Sequence, residues 1–341
     1  MFTSAGVRAV TAFGSARLNL KFFEELPWHD AAGVPVIGGR TPLDLKTVTG
    51  DDRLVTMAAQ ALRECATWPQ PPAPSARAAE DRPAPLLLCL PAPDPDLAVR
   101  PADALLSAIA DQGGAPIDLG ASRAFASGRA AIFDALEEAE RLLSSQAATT
   151  VYLGGVDSLV DRDALDRLLR AERIKTSTGE GLIPGEGAAF LRLGRDGEPG
   201  ALAAIAGVAR AQEPRTREAG EPNIGAGLAD AARDALAAAA LAPAGLGAVI
   251  HDAAGDRWAF REATLAIARV RPRAEPPALI TSTGSCAGDL GAAYGPFALG
   301  LAAFWLRQAV IDGAALVLGT SDAADRGAAV VTPARPPRGG R

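Results

Sequence analysis

The chain is poor in the residues from which most metal and redox sites are built. Among 341 residues there are three cysteines, Cys65, Cys89 and Cys286, and two histidines, His29 and His251. Three widely spaced thiols are too few for a disulfide framework or a cysteine zinc site, and two distant histidines are too few for the usual zinc cluster. No metal and no cofactor is therefore expected. Neither G-x-x-x-x-G-K-[ST] nor a strand-linked G-x-G-x-x-G occurs, so no phosphate cradle is announced. Long apolar runs are also missing. The most apolar stretch, 294–310, is interrupted by Gly295, Pro296, Gly300 and Arg307, which suits a buried helix better than a membrane span. The N-terminal MFTSAGVRAV lacks the basic region and apolar run of a secretory signal, so a cytoplasmic location is expected. A net charge of -6 with scattered positive residues gives no electrostatic reason to expect nucleic acid. The short basic end, PARPPRGGR from about residue 333, reads as a frayed tail.

What is present is a globular composition, 48% hydrophobic and 22% charged, on a chain long enough for a sizeable core. Strands are expected at 7–13, 85–90, 115–122 and from 150, then at 202–209, 247–251, 278–282, 314–319 and 327–332. Helices are expected from Asp51 to Cys65, over 101–112 with Pro101 at the start, and over 128–143 with Ile132, Leu136, Ala139 and Leu143 on one face. Further helices are expected over 225–241, 257–270 and 288–311, and the proline-rich 68–84 reads as an exposed loop. Each half, 1–195 and 196–341, thus follows β-α-β-α-β-α-β-β within one compact unit, and alternation of this kind implies mostly parallel sheets covered on both faces. The helix at 288–311 has almost no polar face, so it belongs between two layers.

Residues 151–191, VYLGGVDSLVDRDALDRLLRAERIKTSTGEGLIPGEGAAFL, combine a buried strand, a charged helix and a glycine-punctuated loop leading to a second strand. In this order they resemble the middle of a β-ketoacyl synthase of the thiolase superfamily. The first strand and its turn, the helix from Asp51, the helix from Gly225 with LAPAGLGAVIH, and STGSCAGDLGAAYG at 282–295 follow in the family's order. The resemblance implies an α/β thiolase-like fold, two duplicated halves in a layered α-β-α-β-α sandwich. It also implies a homodimer, or a heterodimer with another thiolase-fold subunit. Acyl carrier protein, a coenzyme A thioester or a type VI secretion effector are the further partners it suggests. Neither nucleic acid nor a membrane is expected.

The same resemblance sets a test of the chemistry. The family carries an acylated cysteine at the start of the first central helix, where the helix dipole stabilises a thiolate. Here that helix begins FASGRAAIF, and the nearest hydroxyl is Ser127, beside Gly128 and Arg129. The family's lysine and a histidine five residues on align with Gly284 and Asp289. The second histidine aligns with His251, which Asp252 follows in place of a threonine-glycine loop. TSDAADRG, 320–327, replaces the glycine-rich C-terminal loop. At most one residue of the family's catalytic set survives.

Ser127 would be either an acyl acceptor served by a base or a helix N-cap. His251 would be an acid, base or oxyanion donor, or a strand-end histidine bonded to Asp252 or backbone. Asp289 would have a raised pKa through desolvation or be held charged by helix N–H groups. Cys286 would be a reactive thiol or a buried inert one, while Cys65 and Cys89 read as core. Glu186 in the GEG turn reads as structural, with Gly181, Gly185 and Gly187 at backbone-permissive positions; in the family this glutamate helps hold the loop near the dimer and active site. The expectation is a catalytically impaired synthase-like scaffold, partner subunit or accessory factor. The alternative is an acyltransferase or 3-oxoacyl synthase that takes acyl thioesters with a relocated nucleophile.

Overall fold

A computed structural model describes residues 1–68, 82–93, 101–271 and 276–334. Most of the proline-rich stretch and of the basic tail lies outside the described residues. In chain order the elements are β1 (Phe2–Thr3), α1 (Ala9–Arg17), β2 (Glu24–His29), β3 (Pro35–Gly38), α2 (Gly50–Thr67), β4 (Leu86–Cys89), α3 (Ala102–Gly113), β5 (Arg123–Phe125), α4 (Ala131–Ser144), β6 (Val151–Ser158), α5 (Arg162–Arg170) and β7 (Glu186–Leu193). There follow β8 (Ala203–Gln212), α6 (Ala226–Ala238), β9 (Leu246–His251), α7 (Arg257–Val270), β10 (Leu279–Ser282), the single turn α8 (Gly284–Ala287), α9 (Tyr294–Arg307), β11 (Ala314–Thr320) and β12 (Asp325–Pro333).

Two five-stranded sheets run β1-β7-β6-β4-β5 and β10-β9-β11-β12-β8. Counting only a sheet's own five strands in chain order, each has the order third, second, fourth, fifth, first. In both, the second strand is parallel to the third and fourth, and the fifth is antiparallel to the fourth and first. The alternation of strand and helix therefore encodes one topology twice.

The core divides by layer. Alternate residues of a strand face opposite sides, so Leu87 and Leu153 point towards α4 and α9, with Ile250 and Val317 facing them from the second sheet. Leu86 and Leu88 point to the other side, onto α2 and α3. Val249 and Leu316 pack against α6 and α7. Helices α4 and α9 are the middle layer. The acidic face of α4 sits at the layer's edge. There Asp134 and Glu137 pair with Arg210 of β8, and Glu138 pairs with Arg141. Among the described residues no helix is long and apolar enough to cross a membrane.

Three expectations are corrected. Residues 7–13 are not a strand: α1 starts at Ala9, because Ala9, Ala12 and Phe13 are buried at helical spacing while Val7 and Val10 are exposed. The first strand is instead β1, which pairs with Gly187 and Ala188. The strand expected at 115–122 is displaced to 123–125, since the Asp118 side chain accepts from Gly120 N and Ala121 N and turns the chain. The central helix does not begin at Gly288. Gly288 and Gly291 have φ of +78° and +50°, and regular helix starts only at Tyr294 and ends at Arg307. The β2–β3 hairpin was not anticipated.

The turn at 291–293 lies hard against β6. A Cβ on Gly155 would stand 2.2 Å from the Ala292 carbonyl oxygen, an atom fixed in backbone that cannot swing away. Gly155→Ala is expected to cost about 2–3 kcal/mol, the upper range for overpacking, as read from urea unfolding. A variant as stable as the parent would mean that this strand and turn are not in contact.

Candidate functional site: an arginine–aspartate plug at the strand ends

The ends of β9 and β11, the turn before α4 and the loop after α5 converge on one small cavity. Arg129 sits in a short 3-10 turn, 128–130, entered through Gly128 at φ +64°. Its guanidinium reaches three carboxylates of the second half. Nη1 is 2.7 Å from Asp289 Oδ2, Nη2 is 2.8 Å from Asp322 Oδ1, and Nε is 3.4 Å from Asp252 Oδ2. Arg173, after α5, donates to both oxygens of Asp322 at 2.9 Å. On the rim, Arg217 pairs with Asp256 and lies over the Trp258 ring, 4.8 Å from its centroid.

Each carboxylate is held differently. Asp252 Oδ2 accepts from Thr320 N at 2.7 Å and Thr320 Oγ1 at 2.8 Å. Asp289 Oδ1 accepts from Gly291 N at 2.9 Å. Burial pushes Asp289 above the usual carboxylate range against the pull of Arg129. Burial also works against the Arg129 charge, but Asp289, Asp322 and Asp252 more than offset it and hold the guanidinium firmly ionised. Asp322 feels the same opposition, and Arg129 with Arg173 keep its carboxyl well below the ordinary range. The room left is about 20 Å³, roughly what a single water needs.

Of Ser127, His251, Cys286 and Asp289, the four residues that the sequence singles out, only Asp289 lines this cavity. It lies between α8 and the 291–293 turn, five residues ahead of the central helix rather than in its first turn. Ser127 is half-buried and makes no capping hydrogen bond. His251 is buried at the end of β9. Its Nδ1 accepts from Ala253 N at 3.4 Å, its ring meets Phe260 edge-on at 5.5 Å, and burial lowers its pKa. Burial pushes the Cys286 thiol up to about 11 and the Cys65 thiol up to about 12, and raises Cys89 further. None of the three is a thiolate at neutral pH.

Arg173, Asp252 and Asp322 are not legible as a set in the sequence. Each stands in a loop at a strand or helix end. The two aspartates are visible only singly, one after His251 and one within TSDAADRG. Their pairing with Arg129 joins residues more than a hundred positions apart.

Behind the site, both halves seal the start of their fifth strand with a buried ion pair. Glu186 binds Arg53 Nε at 2.6 Å and Nη2 at 2.5 Å. Arg326 Nε binds Glu262 Oε1 at 2.6 Å. Among the described residues no group of histidine, cysteine and acidic side chains is arranged to hold a metal.

No family model matches the sequence, and no curated protein matches it. Solved structures do. A ketosynthase from module 6 of the bacillaene synthase of Bacillus subtilis superposes with a TM-score of 0.76 at 12% identity, over 99% of this chain and 71% of that one. The ishigamide ketosynthase/chain length factor matches at TM-score 0.69 and 19% identity, over 98% and 97%. A ketosynthase in complex with its chain length factor from Xenorhabdus doucetiae matches at 0.73 and 14%, over 97% and 96%. The chain therefore has the ketosynthase-like thiolase fold.

Proposed function

We propose that this chain is a non-catalytic ketosynthase-like subunit that acts by pairing with another thiolase-fold chain. The carrying observation is the plug. Where the strand ends and the turn before α4 meet, three arginines pair with four aspartates around room for about one water. An acyl thioester needs a channel to a nucleophile, and room for about one water supports the reading that none opens here. Ser127 and Cys286 are outside the cavity wall, and the protonated Cys286 thiol is a poor nucleophile. His251, the base that a relocated nucleophile would need, is turned to Phe260 and to the backbone. The full-length likeness to ketosynthase and chain length factor chains favours a thiolase-fold partner over a secretion effector.

Intact-mass spectrometry after incubation with acyl-coenzyme A, and separately with a cysteine-directed condensing-enzyme inhibitor, tests the reading. The expected mass is that of the unmodified chain in both. A stoichiometric acyl adduct on Ser127 or Cys286 would sink it in favour of an acyltransferase with His251 as base.

A further inference from the structure

We propose that Arg129 and Arg173 form a carboxylate-binding subsite that the chain's own Asp322 occupies as a resident ligand. The three aspartates around Arg129 are not alike. Asp252 and Asp289 are buried and tied to backbone N–H groups, so they are part of the wall. Asp322 comes from the short connection between β11 and β12, and its side chain is 61% exposed. Among the described residues its carboxylate is held by the two guanidiniums alone, through three charge-assisted hydrogen bonds of 2.8–2.9 Å. Two of these are the parallel bonds from Arg173 that mark bidentate carboxylate recognition. A side chain that reaches in from solvent and satisfies guanidiniums from the other half has the geometry of a bound ligand tethered by a loop.

The arginines differ in what they would lose. Without Asp322, Arg129 keeps Asp252 and Asp289. Among the described residues Arg173 keeps no carboxylate within hydrogen-bonding distance, and its Nε is already buried without a hydrogen-bond partner. The vacancy would thus be cationic, planar in its demand and small. Formate and acetate fit it, since each presents two coplanar oxygens in the volume released by one aspartate side chain. In the native chain the tether keeps the local concentration of Asp322 far above that of any free anion. The proposal deepens the non-catalytic reading, because the chain closes this subsite with its own side chain. Its test reads stability, whereas the test of that reading is a covalent mass change, so the two fail separately.

Asp322→Ala and the isosteric Asp322→Asn should both be made in the full chain. Thermal unfolding is then followed in sodium acetate, formate, chloride and sulfate at matched ionic strength. Both variants should unfold below the parent. Acetate or formate at about a hundred times its dissociation constant should return the midpoint of Asp322→Ala saturably, by about 3–5 °C relative to chloride. The parent should not respond, and Asp322→Ala with Arg173→Gln should lose the response. The isosteric asparagine still fills the space and should show little rescue. Equal effects of chloride and sulfate, an equal response in the parent, or rescue that survives Arg173→Gln would each overturn the proposal.

Discussion

Glu186→Ala is expected to lower global stability by about 3–5 kcal/mol, the cost of breaking a buried ion pair. The carboxylate is fully buried and accepts five hydrogen bonds, two from Arg53, two from Thr41 through N (2.8 Å) and Oγ1 (2.6 Å), and one from Ser158 Oγ (2.8 Å). Removing it leaves the Arg53 guanidinium buried and unpaired. An isolated pair can often be replaced by apolar residues at no loss. That rescue should fail here. Arg53 also donates to the carbonyls of Leu43, Asp44 and Val48, so Arg53→Met with Glu186→Leu would orphan backbone and hydroxyl groups on both sides. At about 1–3 kcal/mol for each group left unsatisfied, the double variant should remain at least about 2 kcal/mol below the parent in urea unfolding. A double variant as stable as the parent would show that the loop at 41–48 does not depend on this pair. Arg326 and Glu262 should behave alike, since Arg326 Nη1 caps the carbonyls of Ser321, Ala323 and Asp325.

The second large effect is on pH dependence, through Asp157. It is buried in β6 beside Asp289, and burial pushes its carboxyl up to about 7 although Ala292 N and Ser158 N both donate to it. A native pKa above the unfolded value means that the folded chain holds the proton more tightly. This contribution is complete below the unfolded pKa of 3.8 and is lost as pH rises through about 7, in total about 4 kcal/mol at 1.36 kcal/mol per pH unit. Asp289 and Asp161 shift in the same direction, chiefly through burial. His251 opposes them. Its lowered pKa contributes stability above about 6.5 that is lost on acidification. Asp30 is lowered to about 2 by hydrogen bonds, mainly from Ser177, and acts only below about pH 4. Asp157→Asn isolates the group. The stability of the parent minus that of the variant should fall by about 3 kcal/mol between about pH 4.5 and about pH 8. Parallel pH profiles would rule out a protonated Asp157 in the native state.

Much of the fold was legible because it depends on periodicity. Buried runs such as Leu86–Cys89 and Ala314–Thr320, separated by helices with one apolar face, imply parallel strands covered on both sides. The repeated order implies two similar halves. Elements were misplaced where local preference and tertiary context disagreed. The β-branched Val7, Val10 and Thr11 suggest a strand, but burial of Ala9, Ala12 and Phe13 wins and makes a helix. The central helix looked longer than it is because its apolar composition continues through a turn that two positive-φ glycines create.

By itself the sequence determined the layered architecture, since the order and periodicity of its elements carry it. Only the tertiary structure decided which charged groups meet at the strand ends. In the sequence Arg129 stands only as a charged residue at a helix start, yet its partners lie at 252, 289 and 322, brought together by strand ends from the other half. Charge pairing is short-ranged and blind to sequence distance, so no local pattern records it. The same two arginines would be a cleft if open and are a plug because Asp322 enters between them.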